Sequence, residues 1–273
     1  MDKEKKQRIK RNIREIALTI CFSALGLLIY AVLKELEFSK LYGSIIAFVI
    51  TALAAFILFP KVFGIPFGRI NIKEWTRRIG LYLPKGAWKH IILGICLAIC
   101  TLSGMLIASI LTGKYVLDLD NITLDHMVFS LIPGIFEEIF FRGVLMIILL
   151  RITKSLEKAF TIQVVIFGLS HIKYGLNIMS LVEAISVLII AIGLTYTVYK
   201  TRTLIAAIIF HYLHDAFLFV VQLPDGVYQG FTDNALFYLG LWIMVGIGIL
   251  ITKIAADKFQ VQAQEPLYEK SYT

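Results

Sequence analysis

Hydrophobic residues occur along this chain in long runs that are separated by short polar segments. A run needs about 20 residues to cross the hydrocarbon core of a bilayer as a helix. Eight runs approach or exceed this length and predict transmembrane helices at residues 15–33, 42–62, 91–112, 126–150, 160–175, 178–199, 203–222 and 235–255. No internal repeat or soluble segment interrupts the pattern. The sequence therefore predicts an all-α polytopic membrane protein with about eight transmembrane helices in one domain, residues 1–273.

Basic residues are distributed unevenly among the segments that connect these runs. With the N-terminus in the cytoplasm, cytoplasmic segments hold 22 Lys and Arg residues and the opposite segments hold four, while Arg142 lies inside a run. The positive-inside rule requires such an excess. The pattern therefore predicts that both termini are cytoplasmic. The basic residues 1–14 precede a run without an A-x-A-like cleavage site, which favours a retained first span over a removed signal peptide.

The composition excludes several other classes of protein. Of 273 residues, 58% are hydrophobic and 17% are charged, whereas globular chains contain roughly 25% charged residues. The net charge of +8 does not indicate nucleic-acid binding, because the basic residues form no continuous patch. The three cysteines lie in apolar runs and predict neither a disulfide framework nor a metal knuckle. Residues 64–90 mix aromatic and basic side chains, which predicts a segment at the membrane surface.

The fourth run contains three charged residues near its middle, Glu137, Glu138 and Arg142. Three charges at a helix centre cost about 9 kcal/mol on insertion scales, so partners or a wet cavity must stabilise them. Glu138 and Arg142 are four residues apart and can pair along one helix face. Glu137 lies about 100° away around the helix and is predicted to face other partners. Gly134 and Gly143 flank the group and permit close helix approach.

Further polar residues lie at a similar depth in two other runs. His171 lies in the fifth run, and His211 and Asp215 lie four residues apart in the seventh. Together with Glu137, each is about 15 Å from the end of its span at a rise of about 1.5 Å per residue. The four side chains are therefore predicted to converge in one intramembrane site. Two carboxylates and two imidazoles can bind a divalent metal, activate water or stabilise an oxyanion.

The same residues carry a family resemblance. Glu137-Glu138-x-x-x-Arg142, Phe167-x-x-x-His171 and His211-x-x-x-Asp215 resemble, in order and on successive spans, the three motifs of the CPBP family. That family, also called Abi, includes CAAX prenyl endopeptidases and bacteriocin-processing or self-immunity proteins. The resemblance covers residues 125–222, which we predict to be the catalytic motif core.

The resemblance implies a role for each motif residue. Glu137 would be the general base that activates water, and His171 would assist it. His211 and Asp215 would hold a metal or orient the oxyanion, while Glu138 and Arg142 would fix the scaffold around the base. The possible metal ligands are Glu137, His171, His211 and Asp215, a set that suits zinc. Metalloprotease and metal-free glutamate mechanisms both stay open.

The resemblance also implies an intramembrane endopeptidase that cleaves membrane-associated peptides or protein tails. Two alternatives stay open, a non-catalytic membrane scaffold that regulates a partner and a proton-coupled transporter, since buried ionisable groups also form proton relays. The expected partners are the lipid bilayer and a peptide substrate, with no nucleic acid. The frequent lysine and isoleucine residues favour a bacterial plasma membrane, where bacteriocin leaders or peptide pheromones are better substrate candidates than prenylated tails.

Overall fold

The computed structural model describes residues 72–112, 116–171, 178–218, 220–222 and 231–258, together with scattered helical positions between residues 7 and 53. These ranges are helical except for short connections and one pair of two-residue strands. The α-helices are α1 (Ile72–Arg78), α2 (Ala87–Thr112), α3 (Leu124–Glu137), α4 (Met146–Thr153), α5 (Leu156–Leu169), α6 (Ile178–Thr201), α7 (Ile205–Leu218) and α8 (Phe231–Lys258). A π-helix, Glu138–Leu145, joins α3 to α4 without a break.

Among the described residues, three helical segments are long and apolar enough to cross a membrane, Ala87–Ala108, Leu181–Thr201 and Tyr238–Asp257. They correspond to the third, sixth and eighth predicted spans, and α7 is a shorter apolar helix. The fourth predicted span is the continuous helix formed by α3, the π-helix and α4. The first two predicted spans lie outside the continuously described ranges. The all-helical membrane architecture is therefore confirmed, and the total of eight spans stays a prediction.

The short turn between α4 and α5 returns the chain to the π-helix. Lys154 ends α4 with a left-handed backbone conformation (φ 54°). Ser155 then caps α5, because its side chain accepts a hydrogen bond from the Lys158 backbone N–H. Helix α5 packs against α4, and the ring of its Phe167 contacts Phe141 of the π-helix edge-on, at 4.8 Å between ring centroids.

Small residues allow the longer helices to approach closely. A Cβ atom at Gly94 of α2 would lie 2.7 Å from the Ala206 carbonyl oxygen of α7, and one at Gly104 would lie 2.6 Å from the Gly240 carbonyl oxygen of α8. Small residues at such contacts are typical of membrane helices, which lack a strong hydrophobic driving force for association. Helix α2 therefore packs between α7 and α8.

Helix α1 falls within residues 64–90, which were predicted to lie at the membrane surface. Trp75 of α1 and Ile79, which follows the helix, are buried in the protein core, at 3% and 0% exposure. Gly143 of the π-helix allows this contact, since a Cβ atom there would lie 2.9 Å from the Ile79 carbonyl oxygen. Arg77 on the other face is exposed. One face of α1 therefore packs on the protein, and the position of the segment at the membrane surface stays a prediction.

A short strand pair ties two ends of the bundle together. Strand β1 (Val116–Leu117), which follows α2, pairs antiparallel with β2 (Val221–Gln222), which follows α7. A 3-10 turn, Leu119–Asn121, and the capping side chain of Thr123 then lead into α3. The C-terminal ends of α2 and α7 therefore lie at the same end of the bundle as the start of α3.

Candidate active site

The π-helix holds a buried charged group. Arg142 Nη1 donates a hydrogen bond to Glu138 Oε1 at 2.9 Å, and both side chains are 0% exposed. The guanidinium also stacks on the Phe167 ring, with Arg142 Cζ 4.0 Å from the ring centroid. His211 Nδ1 lies 2.8 Å from the same Glu138 oxygen. The predicted Glu138–Arg142 pair is therefore present, and Glu138 also connects it to α7.

The wider turn of this segment is a feature that the sequence analysis did not predict. A π-helix closes its hydrogen bonds over five residues instead of four and is found most often at functional sites. Pro133, one turn earlier, has no backbone N–H and cannot donate to the residue four positions before it. All eight residues of the π-helix are buried. The segment thus places Glu137 and Glu138 at its start with different surroundings.

Glu137 faces two imidazoles from two other helices. Its Oε2 atom lies 3.8 Å from His171 Nε2 and 3.8 Å from His211 Nε2. Within the described part of the chain, this oxygen is buried and forms no hydrogen bond. The predicted convergence is therefore present, and Glu137 and Glu138 have different partners, as the helix geometry predicted.

Each histidine is oriented through its other ring nitrogen. His171 Nδ1 lies 2.8 Å from the Phe167 carbonyl oxygen, which can only accept, so Nδ1 carries the proton. His211 Nδ1 donates in the same way to Glu138. Both rings therefore turn their Nε2 atoms toward Glu137. His211 Nε2 also lies 3.5 Å from Asp215 Oδ2, which brings the fourth predicted residue into the group.

A cavity of about 350 Å³ reaches this group from the side of the histidines and Asp215. Its polar lining includes Glu183 of α6 and His214 of α7. The buried ring of His214 also stacks on Phe210, with 5.8 Å between the ring centroids.

The cavity also has walls that the motifs could not reveal. Helix α2 contributes Met105, and α8 contributes Tyr238 and Leu241. These helices lie outside residues 125–222, and their sequences carry no polar motif that would have marked them. Their contribution follows from helix packing alone, because α2 and α8 pack on each other beside α6 and α7.

The side chains of the site match the predicted zinc site only in part. Two imidazole nitrogens and two carboxylates have the chemistry that zinc prefers, and ligating histidines commonly donate their other N–H to a carboxylate or carbonyl. In their present positions, however, no group of three His, Cys, Asp or Glu side chains among the described residues is arranged to hold a metal ion. The fit is incomplete, so zinc stays a prediction and no catalytic step is assigned to it.

These features define a helical integral membrane protein with a buried glutamate–histidine site. Residues 120–217 match the family model described as type II CAAX prenyl endopeptidase Rce1-like. The match includes all three motifs and confirms the family resemblance. The matched family is a family of CAAX endopeptidases, which supports a membrane protease. Neither the curated proteins nor the solved structures give a significant match to the chain.

Proposed function

We propose that the protein is an intramembrane endopeptidase that hydrolyses peptide bonds of membrane-associated peptides or protein tails. The observation that carries the proposal is Glu137 Oε2, a buried carboxylate oxygen that faces two imidazole Nε2 atoms at 3.8 Å. A carboxylate in this position can accept a proton from water while the imidazoles position that water.

The proposed reaction uses the side chains of this chain. Glu137 takes one proton from water, and the resulting hydroxide attacks the carbonyl carbon of the peptide bond. The carbon–nitrogen bond then breaks, and Glu137 returns the proton to the leaving amine. His171 keeps its Nε2 toward the water because Phe167 holds its Nδ1.

His211 is assigned to the developing oxyanion. Glu138 lies 2.8 Å from its Nδ1, and Asp215 and Glu137 lie 3.5 and 3.8 Å from its Nε2. Three neighbouring carboxylates stabilise the protonated ring, whose Nε2–H can donate to an oxyanion. Glu138 and Arg142 are positioning residues in this scheme, since they hold the ring and do not reach the cavity.

Peptide release tests the proposal directly. Membranes that contain the wild-type protein are compared by mass spectrometry with membranes that contain an equal amount of folded Glu137→Gln protein. We expect a set of cleaved peptides that is present only with the wild type. Identical peptide sets would overturn the peptidase function and leave a scaffold or a transporter as the better account.

The possible zinc ion is a separate part of the proposal. If zinc acts with Glu137, His171, His211 and Asp215, 1,10-phenanthroline abolishes hydrolysis, added zinc restores it, and elemental analysis gives about one zinc per chain. If hydrolysis persists in metal-stripped protein, the glutamate mechanism stands without a metal. When bound, zinc would lower the pKa of a coordinated water to about 7.

The orientation in a bacterial plasma membrane is also proposed from the charge asymmetry of the sequence. Single cysteines replacing Asp120 and Lys158, both exposed, report opposite ends of the bundle in a background that lacks Cys21, Cys96 and Cys100. With both termini cytoplasmic, a membrane-impermeant thiol reagent labels intact cells at position 120 and not at position 158. Labelling of both positions, or of position 158 alone, would contradict this orientation.

A further inference from the structure

The cavity extends well beyond the glutamate–histidine group. Helix α6 lines it with Glu183, Val187, Ile190 and Leu194, which share one helix face. From the first to the last of these residues the helix rises about 16 Å. A strand of peptide rises about 3.3 Å per residue, so about five residues of extended chain fit along this wall. The cavity therefore contacts substrate residues on at least one side of the bond to be cleaved.

Apart from the motif residues, the described side chains that line the cavity are mostly apolar, and Glu183 is an exception. Among the described residues, no Lys or Arg lines the cavity. The hydroxyl of Ser186, three residues after Glu183, already has protein partners. Ser186 Oγ donates a hydrogen bond to the Val182 carbonyl and accepts one from Trp242 Nε1, both at 2.8 Å. A carboxylate in an apolar wall is stabilised by a cationic partner.

The described residues at the end of the bundle near Glu183 carry acidic and no basic side chains. Pairs of contacts show which helix ends lie together. Helices α6 and α8 run parallel, because Ser186 contacts Trp242 and Thr197 contacts Thr252. Helix α2 runs antiparallel to α8, because Cys100 contacts Met244 and Gly104 contacts Gly240. The described residues at this end, 105–112, 116–130, 178–190, 212–218, 220–222 and 231–245, contain no Lys or Arg. They include Asp118, Asp120 and Asp125 beside the strand pair. Acidic side chains near a cavity attract ligands of positive charge.

We propose that Glu183 is a specificity-determining residue that binds a Lys or Arg side chain of the peptide, within about five residues of the cleaved bond. The inference rests on the proposed peptidase function and adds the substrate class, a peptide that combines apolar residues with a cationic one. The apolar walls of the cavity contact the apolar side chains of the peptide, and Glu183 binds its cationic side chain. Asp215 is assigned to the reaction, so Glu183 is the carboxylate of the lining that is available for recognition.

Matched peptides test this assignment in purified protein held in lipid nanodiscs. A synthetic library of amphiphilic peptides carries lysine, glutamine or glutamate at each flanking position in turn, and mass spectrometry measures the cleaved products. We expect about tenfold higher kcat/KM for the lysine peptide than for the glutamine peptide at one position, because a charge-assisted hydrogen bond contributes that factor. The difference lies in KM. Glu183→Gln removes it, and Glu183→Lys reverses it toward glutamate.

The control is Glu157→Gln, which changes an exposed carboxylate at the opposite end of the bundle and leaves the preference intact. A wild type without preference for lysine, or a preference that survives in Glu183→Gln, overturns the role of Glu183 while the peptidase function stands.

A binding measurement separates the role of Glu183 from the proposed peptidase function. In Glu137→Gln protein, fluorescence anisotropy should show tighter binding of the lysine peptide, and the added Glu183→Gln change should remove it, whether or not the wild type hydrolyses peptides. Equal binding of lysine and glutamine peptides also overturns the role.

Discussion

Two adjacent glutamates at the start of the π-helix have opposite environments. Glu138 is fully buried, and its Oε1 atom accepts hydrogen bonds from Arg142 Nη1 at 2.9 Å and from His211 Nδ1 at 2.8 Å. Glu137 is 21% exposed, and its Oε2 atom forms no hydrogen bond among the described residues. The closed side of the π-helix is thus occupied by protein partners. The open side holds Glu137 beside His171 and Asp215, and the latter two line the cavity.

This contrast separates the energetic roles of the two sides. Ionised groups are costly inside a membrane protein, and the closed side offsets that cost with a salt bridge, a hydrogen bond and the stacking of Arg142 on Phe167. The open side leaves Glu137 without such compensation. We infer that the closed side determines whether the protein folds and that the open side determines whether it reacts.

The largest expected effect is on catalysis. Replacing Glu137 with glutamine keeps the shape of the side chain and removes the base, so we expect hydrolysis to fall by about 10²- to 10⁴-fold. The amount of folded protein stays near that of the wild type, because no buried partner of Glu137 loses a hydrogen bond on this oxygen. Size-exclusion chromatography and thermal unfolding in detergent check the fold beside the activity measurement.

The opposite result is expected for Arg142→Ala. Removing one partner of a buried ion pair leaves the other charge uncompensated and costs about 3–5 kcal/mol. We therefore expect a lower unfolding temperature and less folded protein, with Lys158→Ala as the control because Lys158 is exposed at the start of α5. If Glu137→Gln destabilises the protein as much as Arg142→Ala does, the two sides do not have the separate roles inferred here.

The sequence predicted this division as far as helix geometry allows. Residues four apart on one helix face each other, so the pairing of Glu138 with Arg142 followed from spacing, as did the separate direction of Glu137. The convergence of His171 and His211 on Glu137 followed from their common depth in the predicted spans. These predictions depend only on position along a helix, which the chain specifies locally.

Features that depend on contacts between distant segments were not predictable in this way. The π-helix replaces part of an expected α-helix, and the segment of α1 packs on the protein core beside Gly143. Likewise, Met105 and Tyr238 line the cavity from helices without any motif. Each feature arises from packing between segments far apart in sequence, for which apolar periodicity gives no partner.

The smallest expected effect concerns the packing behind the closed side. At Gly143 a methyl group would lie 2.9 Å from the Ile79 carbonyl oxygen, which is backbone and cannot move aside as a flexible side chain can. We expect Gly143→Ala to destabilise the protein by about 1–3 kcal/mol, the usual cost of overpacking. Gly246→Ala is the matched control, since nothing lies within 4 Å of its added Cβ atom, and alanine is favoured over glycine in a helix by about 1 kcal/mol. The unfolding temperature in detergent should therefore change in opposite directions for the two variants.

Because α1 does not contribute to the cavity lining, Gly143→Ala protein that remains folded should hydrolyse peptide at the wild-type rate. A folded Gly143→Ala protein without activity would show that the closed side also controls the geometry of Glu137, and the separation of folding from reaction would fail at this position.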